Sequence, residues 1–275
     1  MDGQIEIDAV QVRRQGTVVL QDITLRLRGG CMTGLVGANG AGKSTLLACI
    51  SGDIEASDGS VRMDDHDVFG LTERQQARWR SVMTQHTDPG FNLSVREVIE
   101  IGLHVFDDIG GAEREQMIVQ AAGLADVSLW LARDVTTLSA GQLQRVHLAR
   151  ALVQVLAIRR VRGECWLFLD EPVSSQDPWQ QQRILHVCRQ LCADASVGVV
   201  VVLHDLSQVR RWCDDVVALA DGKVVVHGEV EAVLDQASIA RTFGSQVNAH
   251  FYDEPVSGVV LWSEFGSASS WVPMS

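Results

Sequence analysis

Apolar and polar positions alternate through the first thirty residues. Ile5, Ile7 and Ala9, then Val18 and Leu20, then Ile23, Leu25 and Leu27, recur at every second position. That spacing predicts two or three strands of a half-buried antiparallel sheet. Residues 32–36 are an apolar run expected to form a short buried strand, and 46–50 are expected to be helical. Asp58-Gly59-Ser60 predicts a turn, and residues 61–63 a strand closed by Asp64-Asp65-His66. Residues 72–80 predict a short helix and 81–84 a strand ending at Gln85. From Pro89 to about Val155 the periodicity becomes helical. Ser94 and Glu97 have capping-box spacing ahead of Val98, Ile99, Ile101 and Leu103. Residues 112–123 and 126–132 are further helical pieces.

After Ser139 an apolar stripe of Leu143, Val146, Leu148, Ala149, Leu152 and Val153 predicts a strong helix. Residues 156–164 carry three arginines before the next strand, and taken alone they fit a basic surface loop. The apolar run 165–169 is a buried strand ending at Asp170-Glu171-Pro172. Asp177-Pro178 starts the next helix, with Asp as cap and Pro in the first position. Residues 199–203 are another buried strand, ending at His204-Asp205. Residues 216–219 and 224–226 flank Asp221-Gly222, a hairpin signal. Short helices follow to Phe243, and the last thirty residues, rich in Ser, Gly and Trp, resist assignment. The pattern is an α/β frame with an all-helical insertion, and it contains no internal repeat.

Between the strand at 32–36 and the helix at 46–50 stands Gly37-Ala38-Asn39-Gly40-Ala41-Gly42-Lys43-Ser44-Thr45. Strand, glycine loop, helix is the setting a phosphate-binding P-loop requires. The glycines let backbone N–H groups turn inward around a polyphosphate, and the helix adds the positive end of its dipole. Lys43, one of two lysines in the chain, offers a point charge to the outer phosphates, and the Ser44 hydroxyl a ligand to Mg²⁺. The loop alone admits a kinase, a GTPase or a motor ATPase. Asp170 closes a strand that fits a Walker B element and would orient the Mg²⁺ shell. Glu171 follows it, where a carboxylate can polarise water. His204 ends the next apolar strand, within reach of a γ-phosphate if the sheet is parallel.

Composition bounds the setting. The 275 residues are 46% hydrophobic, ample for a large core, and the longest apolar run has seven residues, from Val197 to Leu203. That excludes a membrane span. Residues 1–4 lack a basic segment followed by an apolar one, so no signal peptide is expected. The net charge of −12 and the lack of a basic run argue against a nucleic-acid groove. Six scattered cysteines with no C-x-x-C are expected to be small apolar fillers.

Leu138-Ser139-Ala140-Gly141-Gln142 precedes the Walker B strand by about three dozen residues. With it, the chain resembles the ATP-binding subunits of ABC transporters, whose signature is usually LSGGQ; Ala140 replaces the first glycine. The resemblance places Gln85 as the Q-loop glutamine, near Mg²⁺ and the reacting water, Asp177 in the D-loop and His204 as the switch histidine. Taken singly, Ser139 fits an ordinary N-cap, Gln85 a surface residue and His204 a strand-end histidine. Six motifs in order across residues 4–244 outweigh that. The resemblance implies an ATP-binding domain over 1–244, a helical subdomain at about 87–160 and an extension at 245–275. It also implies ATP and Mg²⁺ as cofactors, and a second copy of the chain whose ATP Ser139 and Gly141 would cap. A polytopic membrane permease is a further implied partner, with a periplasmic substrate-binding protein reached indirectly and no nucleic acid. The location implied is peripheral, on the cytoplasmic face of the inner membrane.

One departure is notable. The family often stacks adenine on an aromatic residue upstream of the P-loop, whereas residues 12–16 hold none; Arg13 or Arg14 offers a planar guanidinium instead. The stretches 83–86, 93–99 and 200–206 resemble the iron-siderophore, cobalamin and haem importer branch. Within it, the extension at 156–164 and the end of the chain resemble the haem importers. A soluble ABC-type regulator or nucleic-acid machine is the rival class; such proteins usually carry paired nucleotide domains, a long coiled coil or basic arms.

Overall fold

The chain realises its two periodicities in two separate sheets. The computed structural model describes residues 3–84, 92–193, 196–244, 247–251 and 259–263. In chain order these hold β1 (Gln4–Arg14), β2 (Thr17–Arg28), β3 (Met32–Gly37), α1 (Lys43–Ile50), β4 (Asp58–Met63), β5 (His66–Asp67), α2 (Glu73–Gln76) and β6 (Arg80–Met83). The helical segment brings α3 (Val95–Ile101), α4 (Gly111–Leu124) and α5 (Ala140–Arg162). Then come β7 (Cys165–Leu169), α6 (Pro178–Cys192), β8 (Val197–Val202), α7 (Leu206–Trp212), β9 (Asp215–Ala220), β10 (Lys223–Glu229), α8 (Val230–Val233) and α9 (Gln236–Phe243). Two final strands, β11 (Val247–Phe251) and β12 (Val259–Ser263), pair antiparallel.

The alternating strands make a four-stranded antiparallel sheet in the order β2-β1-β4-β5. The continuous apolar runs make a six-stranded sheet, β10-β9-β3-β8-β7-β6. It is parallel from β9 to β6, with β10 added antiparallel through the hairpin. Strands buried on both faces need no alternation, which explains their composition. β7 shows why: Cys165, Leu167 and Leu169 pack into a core with the helical segment, while Trp166 and Phe168 pack into a second core with α1 and the antiparallel sheet. In the parallel part the carboxyl ends of β3, β7 and β8 share one edge, where open α/β sheets bind ligands.

Four expectations are corrected. The alternation breaks after Ile7: Ala9, at φ 47°, lies exposed at an irregularity in the β1–β2 register, and Val10 and Val12 take the inward positions. Asp58 and Gly59 are not a turn but the start of β4. The helix expected at 72–80 is the single turn α2, since Arg80 already belongs to β6. Residues 156–162 are not a loop but the last turns of α5, stopped by Gly163 at φ 91°. Its three arginines, Arg159, Arg160 and Arg162, sit in the last turn, where they favour the negative end of the helix dipole.

The capping box expected ahead of α3 is present. Ser94 Oγ accepts from Glu97 N at 3.2 Å, and Glu97 Oε2 accepts from Ser94 N at 2.7 Å. Ser94→Ala is expected to lower stability by about 1 kcal/mol. A drop in the urea midpoint with an unchanged slope would show it.

Candidate active site

The P-loop is shaped by what surrounds it. Gly42 caps α1 with φ 101°, and a Cβ there would meet Leu20 Cδ2 at 2.7 Å. Only glycine satisfies both conditions. The turn between β9 and β10 braces the loop from outside, with Gly222 N donating to Ala41 O and Gln21 N to Gly222 O. No side chain caps α1, which leaves its first-turn N–H groups without a side-chain acceptor. Lys43 is 6% exposed, and its Nζ donates to Gly37 O and Ala38 O at 3.0 Å each.

A cleft of about 700 Å³ opens over this loop. Asn39, Gly40, Gly42, Lys43, Ser44 and Thr45 line one wall, and Glu171 and His204 the other. Gly37 and Ala41 are buried beneath the loop and Ala38 is exposed, so these three shape the cleft without lining it. Ser44 Oγ donates to Asp170 Oδ1 at 3.1 Å, joining α1 to the end of β7. Asp170 N in turn donates to Met83 O at 2.9 Å. His204 Nε2 lies 2.6 Å from Glu171 Oε1, which puts the carboxylate and the imidazole together at the sheet edge.

Burial pushes the Lys43 ammonium below its ordinary pKa, while Glu171 and Asp170 favour its charged form. Burial likewise pushes the Asp170 carboxyl up; the Ser44 hydroxyl opposes this and Glu171 adds to it. A further positive charge placed among these groups would relieve the crowding of the carboxylates. Ser44 and Asp170 present two hard oxygen donors side by side. That suits Mg²⁺, which takes one or two protein oxygens and completes its shell with phosphates and water. Among the described residues no group of three or more His, Cys, Asp or Glu could hold a metal ion.

Glu171 is held in the left-handed region, φ 51°. A non-glycine residue there costs about 1–3 kcal/mol and persists only where its surroundings fix it. Its carbonyl accepts from Gln144 Nε2 at 2.8 Å, Ser174 Oγ at 3.1 Å and Ser174 N at 3.3 Å.

Ser139 and Gly141 do not line the cleft. Ser139 caps α5, accepting from Gln142 N at 3.3 Å, while Gln142 Oε1 accepts from Ser139 N at 3.0 Å. Gly141 packs on the segment after Glu171, where a Cβ would fall 2.6 Å from Ser175 O. Asp177 caps α6, accepting from Gln180 N at 3.0 Å. Gln85 lies outside the described residues. The structure thus brings Lys43, Ser44, Asp170, Glu171 and His204 together and sets Ser139, Gly141 and Asp177 apart. Val19, not Arg13 or Arg14, lines the cleft on the β2 side. Sequence reasoning missed it because a half-buried apolar residue on a strand carries no signal of its own. It missed Gln144 because that residue looks like the polar face of a helix.

Comparison with known proteins identifies the family. The family model described as ABC transporter matches residues 20–174. The hemin import ATP-binding protein HmuV of Bordetella pertussis is 38% identical over 235 residues, 86% of this chain and 90% of that protein. Among solved structures, one titled as an inward-facing conformation of a putative metal-chelate type ABC transporter aligns with TM-score 0.76 and 21% identity, covering 95% of this chain and 98% of that one. A dimeric post-hydrolysis state of the ATP-binding cassette MJ0796, bound to ADP and Pi, aligns with TM-score 0.71 and 22% identity over 82% and 98% of the two chains. At such identities the structures attest the fold, and the family match and the curated relative attest the kinship: the chain belongs to the ABC transporter family, as one of its ATP-binding subunits.

Proposed function

We propose that the chain hydrolyses ATP to drive import of haem across the cytoplasmic membrane. The observation that carries the hydrolytic part is the Glu171–His204 pair at 2.6 Å, facing Lys43 and Ser44 across one cleft. Residues 37–45 cradle the triphosphate, with Lys43 at the β- and γ-phosphates. Ser44, Asp170 and Gln85 would hold Mg²⁺, which when bound neutralises developing charge on the phosphate oxygens. Glu171 takes the proton of the attacking water. His204 hydrogen-bonds the γ-phosphate and keeps the Glu171 carboxylate aimed at that water. Gln85 orients the same water.

Ser139 and Gly141 act on a second copy. They lie outside their own cleft, at the exposed start of α5, and each chain would cap the ATP of the other, with Asp177 beside the shared boundary. The assembly is then a homodimer of identical head-to-tail halves. The ATP-binding domain spans 1–244 with its helical subdomain at about 87–160, and 245–275 is an extension. No helix among the described residues is long and apolar enough to cross a membrane. By its kinship with importer ATP-binding subunits, the chain would work from the cytoplasmic face of the inner membrane, docked on a polytopic permease that receives cargo from a periplasmic binding protein.

The haem assignment rests on the curated relative that covers most of both chains. Reconstitution with its permease in vesicles tests it. Haem is expected to accelerate ATP hydrolysis and to enter the lumen, and ferric siderophores and cobalamin are expected to do neither. Uptake of a siderophore or of cobalamin in place of haem would move the cargo within the same branch. Absence of any permease from detergent extracts of the chain would end the transporter assignment.

A further inference from the structure

Glu171 stands in a strained backbone conformation, and the strut that holds it comes from the helix that carries Ser139 and Gly141. Gln144, one turn into α5, donates Nε2 to Glu171 O at 2.8 Å and lies 3.4 Å from Ser174 Oγ. Its Oε1 accepts from Gln176 Nε2 at 2.8 Å, and the same Gln176 nitrogen donates to Gly141 O at 2.8 Å. Gln176 O accepts from Gln181 Nε2 at 3.0 Å, and Gln181 Oε1 from Gln208 Nε2 at 2.7 Å. Gln208 lies on α7, the helix that begins just after His204. Four glutamines therefore connect α7, α6 and the 174–177 segment to the carbonyl of Glu171, with Gln181 joining Gln176 at its backbone carbonyl. The Gln176 side chain donates to Gln144 and Gln144 donates to Glu171 O, an order in which hydrogen bonds strengthen one another. All four are at least partly buried.

We propose that Gln144 is a positioning residue for hydrolysis. It fixes the backbone of Glu171, and through Gln176 it ties that backbone to the first turn of α5. The aim of the Glu171 carboxylate then depends on where Ser139 and Gly141 sit. Engagement of that turn by a partner's nucleotide would be felt at the chain's own cleft, so the two ATP sites of a dimer are linked through Gln144 and Gln176 of each chain. The inference rests on the hydrolytic role proposed for Glu171 and adds the residue that sets its geometry.

Two variants separate the strut from mere packing. Gln144→Met keeps the length and loses the amide. Gln144→Glu keeps an acceptor for Gln176 and loses the donor to Glu171 O. Both are expected to lower kcat about 10–100-fold, the scale of a misplaced reacting group, with KM for ATP and the melting temperature near wild type. Single-turnover rates in the Glu171→Gln background give the control. With Glu171 already altered, Gln144→Met should add no further loss, as for residues acting as a unit. Wild-type kcat in both variants, a loss that tracks KM or melting temperature, or full additivity with Glu171→Gln would overturn the proposal. Wild-type hydrolysis by Glu171→Gln alone would instead overturn the role of Glu171, whatever Gln144 does.

Discussion

Glu171→Gln is expected to slow hydrolysis by about 10²–10⁴-fold, the range that a positioned general base contributes, while ATP still binds. The substitution preserves volume and the ability to meet His204, whose Nε2 lies 2.6 Å from the carboxylate. It removes only the proton acceptor. Lys43, Ser44 and the loop amides, which hold phosphate, are untouched. If each chain caps the other's nucleotide, binding without hydrolysis should also arrest the pair in its closed form. Gel filtration with ATP is then expected to give a dimer for the variant. A variant that hydrolyses at the wild-type rate would remove Glu171 from the chemistry. One that binds ATP and stays monomeric would contradict the shared-site arrangement.

Lys43→Ala is expected to weaken ATP binding at least 100-fold. Hydrogen bonds to charged groups contribute about 1.5–3 kcal/mol each, and this ammonium faces more than one phosphate oxygen. Lys43→Arg should fare little better. The ammonium sits between the carbonyls of Gly37 and Ala38 at 3.0 Å from each, a seat for a compact charge and not for a planar guanidinium. Loss of binding need not mean loss of folding. Burial already disfavours the charged Lys43, so the alanine variant should melt near the wild-type temperature without nucleotide. What should vanish is the rise in melting temperature that ATP gives the wild type, since only a ligand bound to the native state raises it. A titration with a fluorescent nucleotide measures the same loss directly.

The motifs that line the cleft were legible because each is a contiguous word at the end of a strand. Lys43 and Ser44 follow β3, Asp170 and Glu171 follow β7, and His204 follows β8. A parallel sheet delivers such words to one edge. What was illegible depends on pairs distant in sequence. The Gln144–Glu171 hydrogen bond joins residues 27 apart, and nothing local distinguishes that glutamine from its neighbours. Ala9 misled the alternation because a bulge has no signature of its own in one strand. The partner side shows the reason: Gly59 of β4 comes so close that a Cβ would lie 2.5 Å from Ala9 O. The extension of α5 was legible in hindsight, with arginines in its last turn and Gly163 after it, a helix-stop pattern.

The six-stranded sheet is also a party wall. Leu167 and Leu169 look toward the helical segment, and Trp166 and Phe168 toward the antiparallel sheet and α1. Two interiors close independently against its faces, and only its top edge, where Asp170, Glu171 and His204 stand, belongs to both. Residues such as Val98 or Ile118 can drift to suit a new neighbour without repacking Leu46 or Ile5. The helical segment can thus be repacked again and again while the hearth on top of the wall stays as it is.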